Sequence, residues 1–247
     1  MEWSDEGLVI GVRRLGEASV ILEAMTLGHG RCLGLVRGGR SRRLRAALQP
    51  GNGVALVWRA RLEEQLGAFA VEPREMRAAG LMENAEALHG VGLVAALLRL
   101  APEREPHPGL YRLGDALAAH MDDPRAPALL ARLELALLRE LGFGLDLSRC
   151  AATGTTQDLV FVSPKSGRAV SRAAGEPWRA RMLPLPAFLR EEGEPGAAPS
   201  LGETLDAFRL TGFFLERDVF APRGLAPPQA RGAYLADLEK RRARETA

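Results

Sequence analysis

A chain of 247 residues, 47% of them hydrophobic, is long enough to bury a core without metal or disulfide staples and to form two domains or one large one. With 33 Lys and Arg against 31 Asp and Glu the formal charge is only +2, so the bulk balance demands no polyanionic partner and any such partner must be sought in local asymmetry. The acidic opening 1–7 lacks a basic n-region, and the longest apolar run, 81–101, is broken by Glu83, Glu86, His89 and Arg99, so neither a secretory signal nor a membrane span is expected and a cytoplasmic location is.

Residues 7–73 break into five short β-like runs, at 7–15, 19–26, 31–37, 53–62 and 67–72. Gly16, Gly28-His29-Gly30, Pro50-Gly51-Asn52-Gly53 and Glu63-Glu64-Gln65 punctuate them. In the fourth run Val54, Leu56, Trp58, Ala60 and Leu62 share one face, which puts Arg59 and Arg61 on the other. Five strands in so short a span predict a small closed or partly closed barrel. An oligonucleotide-binding (OB) fold and an SH3-like barrel both satisfy the periodicity.

Between Glu23 and Glu63 there is no acidic residue, yet the interval holds Arg31, Arg37, Arg40, Arg42, Arg43, Arg45, Arg59 and Arg61. Its centre, Arg37-Gly38-Gly39-Arg40-Ser41-Arg42-Arg43-Leu44-Arg45, is expected to form a basic loop on the β-scaffold. Guanidinium groups chelate phosphate oxygens bidentately and stack on bases, so this interval is the candidate nucleic-acid contact. A solvated loop in a chain that favours arginine over lysine is the plainer alternative, since Lys165 and Lys240 are the only lysines. Composition bias alone, however, does not remove the acids.

After Pro73 the pattern turns alanine- and leucine-rich, which places a boundary near 74–80: a barrel domain over 1–78 and a mainly helical domain over 79–247, an α+β chain overall. Helices are expected over 81–100, around Leu110 to Met121, and from Pro124 to a cap at Gly142. A small insert over 143–181 carries a hairpin, 158–163 with 168–171. A short helical turn at 183–189 and a linker over 191–199 follow. Ser200 and Glu203 then form a capping-box pattern before Leu205 and Phe208. A last helix from Gln229 ends in Lys240-Arg241-Arg242, which complements the helix dipole as well as it would suit DNA.

No phosphate loop, dinucleotide fingerprint, zincin or nucleophile-elbow motif is present, so no catalytic residue is expected and the chain is not read as an enzyme. His29, His89, His107 and His120 lack partners at metal-ligand spacing, and His120 is read as a core-edge residue. Asp122-Asp123 is read as a helix cap. Cys32 and Cys150 cannot supply a four-thiolate zinc site.

Three stretches, taken in order, resemble the DNA repair protein RecO family. They are Gly30-Arg31 through Val36-Arg37-Gly38-Gly39-Arg40-Ser41-Arg42-Arg43 to Leu48-Gln49-Pro50 and Trp58-Arg59-Ala60-Arg61; the run Leu138 to Cys150; and Asp158 to Ser171 with Leu183-Pro184-Leu185-Pro186. The closing Pro222-Arg223-Gly224-Leu225 extends the resemblance over nearly the whole chain. It implies an N-terminal OB-fold and a helical domain. It also implies a non-catalytic recombination mediator that binds single- and double-stranded DNA, anneals strands coated by single-stranded-DNA-binding protein, and with RecR helps load RecA. Many members hold zinc through four cysteines in the insert. Here Cys150 matches the first ligand, Thr153 stands at the second and no cysteines flank Ser171, so no zinc and no other cofactor is expected. Arg132 and Arg139, beside leucines on the helix expected over 125–141, could accept the acidic, hydrophobic tail of single-stranded-DNA-binding protein. An RNA-binding or translation-associated barrel and an adaptor that grips an acidic protein remain alternatives.

Overall fold

The computed structural model describes residues 1–190 and 198–245. The chain divides into two compact units, Met1–Asp122 and Asp123–Ala247. In the first, strands β1 (Glu2–Leu15), β2 (Ser19–Thr26), β3 (Gly30–Val36), β4 (Gly53–Arg59) and β5 (Ala68–Glu75) close into a barrel in the order β1-β2-β3-β5-β4. This order, with β3 beside β5 in parallel and β1 closing on β4, is that of the OB-fold, which settles the choice that periodicity left open. Strand β1 pairs with β4 over its first half, from Glu2↔Arg59 to Leu8↔Gly53, and with β2 over its second, from Gly7↔Thr26 to Leu15↔Ser19. Serving two edges requires a bend, and the register shift between Val9 and Gly11 supplies it. The strand therefore begins five residues before the expected start: pairing with β4 recruits an acidic stretch that reads as a polar leader.

Alternation fills the barrel. Val54, Leu56 and Trp58 of β4 join Val9, Leu22, Ala24 and Phe69 in the core, and the Trp58 indole N–H donates to the Leu66 carbonyl at 3.0 Å, so its one polar atom is satisfied. The stretch after β3 is not all loop, as expected, but contains a short helix, α1 (Arg42–Ala47), begun by Ser41, whose Oγ accepts from the Leu44 N–H at 3.4 Å. Asn52, buried just before β4, fixes the other end of α1. Its amide donates to the Ala46 and Ala47 carbonyls at 2.9 and 3.0 Å, and its Oδ1 accepts from the Ala78 N–H at 2.8 Å. Removing that side chain would strand three polar groups, each at a cost of about 1–3 kcal/mol.

The strands end where the compositional boundary near residue 78 was read, but compactness does not. Helix α2 (Ala78–Leu81) leads to α3 (Ala85–Leu98), begun by the Asn84 side chain, and α4 (Pro108–Ala119). Leu93, Val94, Leu97 and Leu98 are buried with Leu110 and Leu117. Gly114 lets α4 approach: a Cβ there would sit 2.8 Å from Leu98 Cδ1 and 3.6 Å from Leu8 Cδ2 of β1. Both helices thus belong to the barrel's unit. His120 caps the end of α4 and is exposed rather than lying at a core edge.

The second unit contains α5 (Ala126–Glu140), β6 (Leu159–Val162), β7 (Ala169–Ser171), α6 (Arg172–Gly175), β8 (Leu183–Pro184), α7 (Leu201–Phe214) and α8 (Gln229–Glu245). The expected hairpin is β6–β7. Leu183 and Pro184, read as part of a helical turn, instead pair with β6 as a third strand, in the order β7-β6-β8; the turn itself is confined to Ala187–Leu189. All but the last two residues of the expected linker lie outside the described residues. The capping box of Ser200 and Glu203 is formed in full. Within this unit Glu134 of α5, wholly buried, accepts from Arg231 of α8 at 2.8 and 3.1 Å and from Thr211 of α7. No helix among the described residues is long and apolar enough to cross a membrane.

Candidate nucleic-acid interface

Arg37 leaves β3 and Gly38 turns the chain at φ +67°. The Arg40 backbone N–H then donates to the Ala18 carbonyl at 3.2 Å and its Nη1 to the Glu17 carbonyl at 2.6 Å, docking the loop on the β1–β2 turn. Arg40 is thus a tie as well as a charge. From that anchored loop α1 displays Arg42, Arg43 and Arg45, all exposed. Among the described residues neither these three nor Arg37 forms an ion pair. Four cations without carboxylate partners create an uncompensated positive field.

Strand register shows what lies beside them. Arg13 pairs with Ile21, Ile21 with Leu35, Leu35 with Ala68 and Ala68 with Arg59, one row running across all five strands. Directly opposed residues in a sheet share a face, and this row is half-buried in the middle and exposed at both arginines. At about 4.8 Å per strand, the backbone of Arg59 is about 10 Å from that of Leu35, two residues before the loop. In the next row Arg14 opposes Val20, which opposes Val36. Arg13 and Arg14 therefore adjoin the arginine loop, although the sequence interval did not include them. Their doublet was the available signal, hidden because Glu17 and Glu23 fall between it and the acid-free stretch.

Arg31 requires a correction as a phosphate ligand. Its Nη1 donates to Glu23 at 2.6 Å and its Nε to the Ala101 carbonyl at 2.8 Å. Glu23, buried, takes Arg99 on its other oxygen at 2.9 Å. A buried carboxylate requires such neutralisation, and the sequence interval could not show it because Arg99 and Ala101 come from the end of α3 and beyond. The Arg104 N–H also donates to the Arg31 carbonyl at 2.8 Å. The chain's own connection between α3 and α4 thus covers this part of β3, leaving open the part nearer the arginine loop. Arg59 is held differently. It pairs with Glu2 at 2.9 Å, both side chains well exposed, and the guanidinium holds the Glu2 carboxyl below its ordinary range. A solvated pair of this kind is worth little and yields readily to a phosphate. Arg61 is exposed beyond the end of β4.

In the second unit, Arg132 and Arg139 line one open cavity of about 560 Å³ with Leu135, Leu145, Leu189 and Arg190. Arg132 donates to the Phe188 carbonyl at 2.6 Å, which fixes its guanidinium at the cavity wall. Cys150, which the resemblance matches to a first zinc ligand, is engaged by its neighbours. Cys150 Sγ is buried and accepts from the Ser171 N–H and Oγ at 3.3 and 3.4 Å. Burial pushes the thiol up, but the bonds from Ser171 and Thr153 outweigh it and bring it to about 6. Among the described residues no three His, Cys, Asp or Glu gather to hold an ion; hydroxyl and amide donors engage the one thiol present.

Comparison with known proteins places the whole chain in one family. The family model described as Recombination protein O N terminal matches residues 1–76, and Recombination protein O C terminal matches 82–225. A DNA repair protein RecO of Methylocella silvestris is 66% identical, over 99% of this chain and 98% of its own. That of Methylobacterium nodulans is 62% identical over 96% and 97%, and that of Chelativorans sp. 58% over 96% and 95%. An OB barrel with an arginine-bearing helix between its third and fourth strands, in a chain whose two parts match the N- and C-terminal models of one family, leads to one assignment: the chain belongs to the DNA repair protein RecO family.

Proposed function

We propose that this chain is a non-catalytic recombination mediator that binds single- and double-stranded DNA, anneals complementary strands coated by single-stranded-DNA-binding protein, and acts with RecR in loading RecA. The observation that carries this is the cluster of Arg37, Arg42, Arg43 and Arg45 without carboxylate partners, flanked by Arg13, Arg14 and Arg59. Annealing brings two polyanions together. A dense set of guanidinium groups lowers their repulsion, and counterions released from phosphates drive binding without base readout. Arg40 both contributes charge and holds the loop, while Arg61 extends the track beyond β4; Arg31 acts within the barrel. An annealing assay on complementary oligonucleotides, with and without single-stranded-DNA-binding protein, tests the proposal. Acceleration in both conditions is expected; no acceleration in either would defeat it.

The Arg132 and Arg139 cavity supports a second contact of the same activity. Leucines floor it and three arginines border it, a chemistry suited to an acidic peptide with an apolar end. Arg132→Glu is expected to weaken binding of the tail peptide of single-stranded-DNA-binding protein about tenfold or more, since it reverses a charge fixed at the wall. Fluorescence anisotropy of a labelled peptide measures this. Equal affinity for variant and parent would remove this cavity as the tail site.

A further inference from the structure

A cavity of about 220 Å³ opens in the barrel unit near the start of β3, away from the arginine loop at that strand's end. Its lining includes Trp3, His29, Trp58, Glu63, Arg104 and Pro106. Three of its rings form a column. Trp58 and Trp3 stack with centroids 5.6 Å apart and planes 15° from parallel, and Trp3 and His29 stack at 4.0 Å and 8°. Trp58 is buried in the core, whereas His29, the last ring, has 38% of its side chain exposed, so the column ends at solvent.

Both walls are fixed from outside. Asp5 Oδ2 lies 2.8 Å from His29 Nδ1 and accepts from the Gly28 N–H at 2.8 Å, which holds the imidazole flat on Trp3. Arg104, a non-glycine residue at φ +62°, donates to the carbonyls of Glu63 and Gln65 and sets its guanidinium 5.7 Å from the Trp58 ring centre. Left-handed backbone at a residue with a side chain is uncommon and concentrates at ligand sites. The volume falls below the roughly 300 Å³ at which pockets for drug-sized ligands begin, which suits one planar ring system. Beyond Trp58, Arg59 and Arg61 are exposed on the same chain segment.

Resting on the DNA-binding reading above, we propose that this cavity takes one unpaired nucleobase of a bound single strand, stacked in line with His29 and Trp3. The arginine loop would then hold backbone and this pocket a base, with no requirement for a particular base, since every base offers a π-face. Binding of the full-length protein to a short deoxythymidine oligomer and to an abasic oligomer of equal length tests it without any variant. The base-bearing strand is expected to bind about tenfold tighter and to quench tryptophan fluorescence. His29→Ala and Trp3→Phe should shrink that ratio while leaving abasic binding and its salt dependence unchanged. Equal binding of the two oligomers by the parent protein, or an unaltered ratio in both variants, would overturn the pocket while leaving the arginine interface standing. Failure of both oligomers to bind would overturn the DNA-binding reading and the pocket with it. If a peptide ending in phenylalanine binds in a His29-dependent way and the oligomer ratio does not depend on His29, the occupant is a protein side chain and the nucleobase proposal falls.

Discussion

Replacing Arg37, Arg42 and Arg43 together with alanine is expected to reduce the slope of log affinity against log salt for single-stranded DNA by about two, because each neutralised phosphate contributes about 0.7. Affinity at low salt should fall more than affinity at high salt, where counterion release contributes least. The three side chains are exposed and make no ion pair among the described residues, so their loss removes charge without unsettling the barrel. Arg40 is left out of the set on purpose. Its hydrogen bond to the Glu17 carbonyl docks the loop, and removing it would mix displacement of α1 with loss of a charge. A salt titration of parent and triple variant by anisotropy decides the matter. Parallel lines would mean that these arginines touch no phosphate.

The largest loss of stability is expected from Arg231→Met. Glu134 has no exposed surface, and its two oxygens are met by Arg231 Nε and Nη2 and by the Thr211 hydroxyl. Arg231 also donates to the Phe208 carbonyl at 2.7 Å, so one guanidinium joins α5, α7 and α8. Its approach depends on Gly212, where a Cβ would collide with the guanidinium. Without Arg231 a buried carboxylate is left uncompensated, at a cost of about 3–5 kcal/mol. Because the penalty is that of an orphaned charge rather than of a lost contact, Glu134→Leu in the same chain should recover much of it. Urea denaturation of the single and double variants measures both. A single variant within 1 kcal/mol of the parent, roughly the scale of an exposed pair, would show that water reaches Glu134.

How far the sequence led depended on the range of each interaction. The five strands, and the face of β4 that buries Val54, Leu56 and Trp58, follow from alternation, a local property. So does the capping box at Ser200. Helix α1 was missed because six residues rich in arginine carry no helical stripe, although Ser41 stood ready as its cap. The arginine loop was legible as a run of charge, and its exposure follows from the cost of burying guanidinium groups that have no partner. Arg31 was misplaced for the converse reason, since Glu23 and Ala101 reach it through the fold. Arg13 and Arg14 adjoin the candidate interface through pairing of β1 with β2, and the column of Trp58, Trp3 and His29 assembles from three separate segments. No periodicity within one segment encodes contacts of that kind.

The double clamp on Glu23 has an evolutionary side. Its negative charge is balanced partly by Arg99, at the end of a helix that no strand of the barrel requires for pairing, while Arg31 leans on Ala101 for another bond. A barrel transplanted into another protein without residues 79–122 would carry a half-neutralised acid where Arg99 now meets Glu23. Strands and flanking helices thus share one compact unit, and a chimera of two relatives is expected to keep its stability better when joined after Asp122 than at the edge of the sheet.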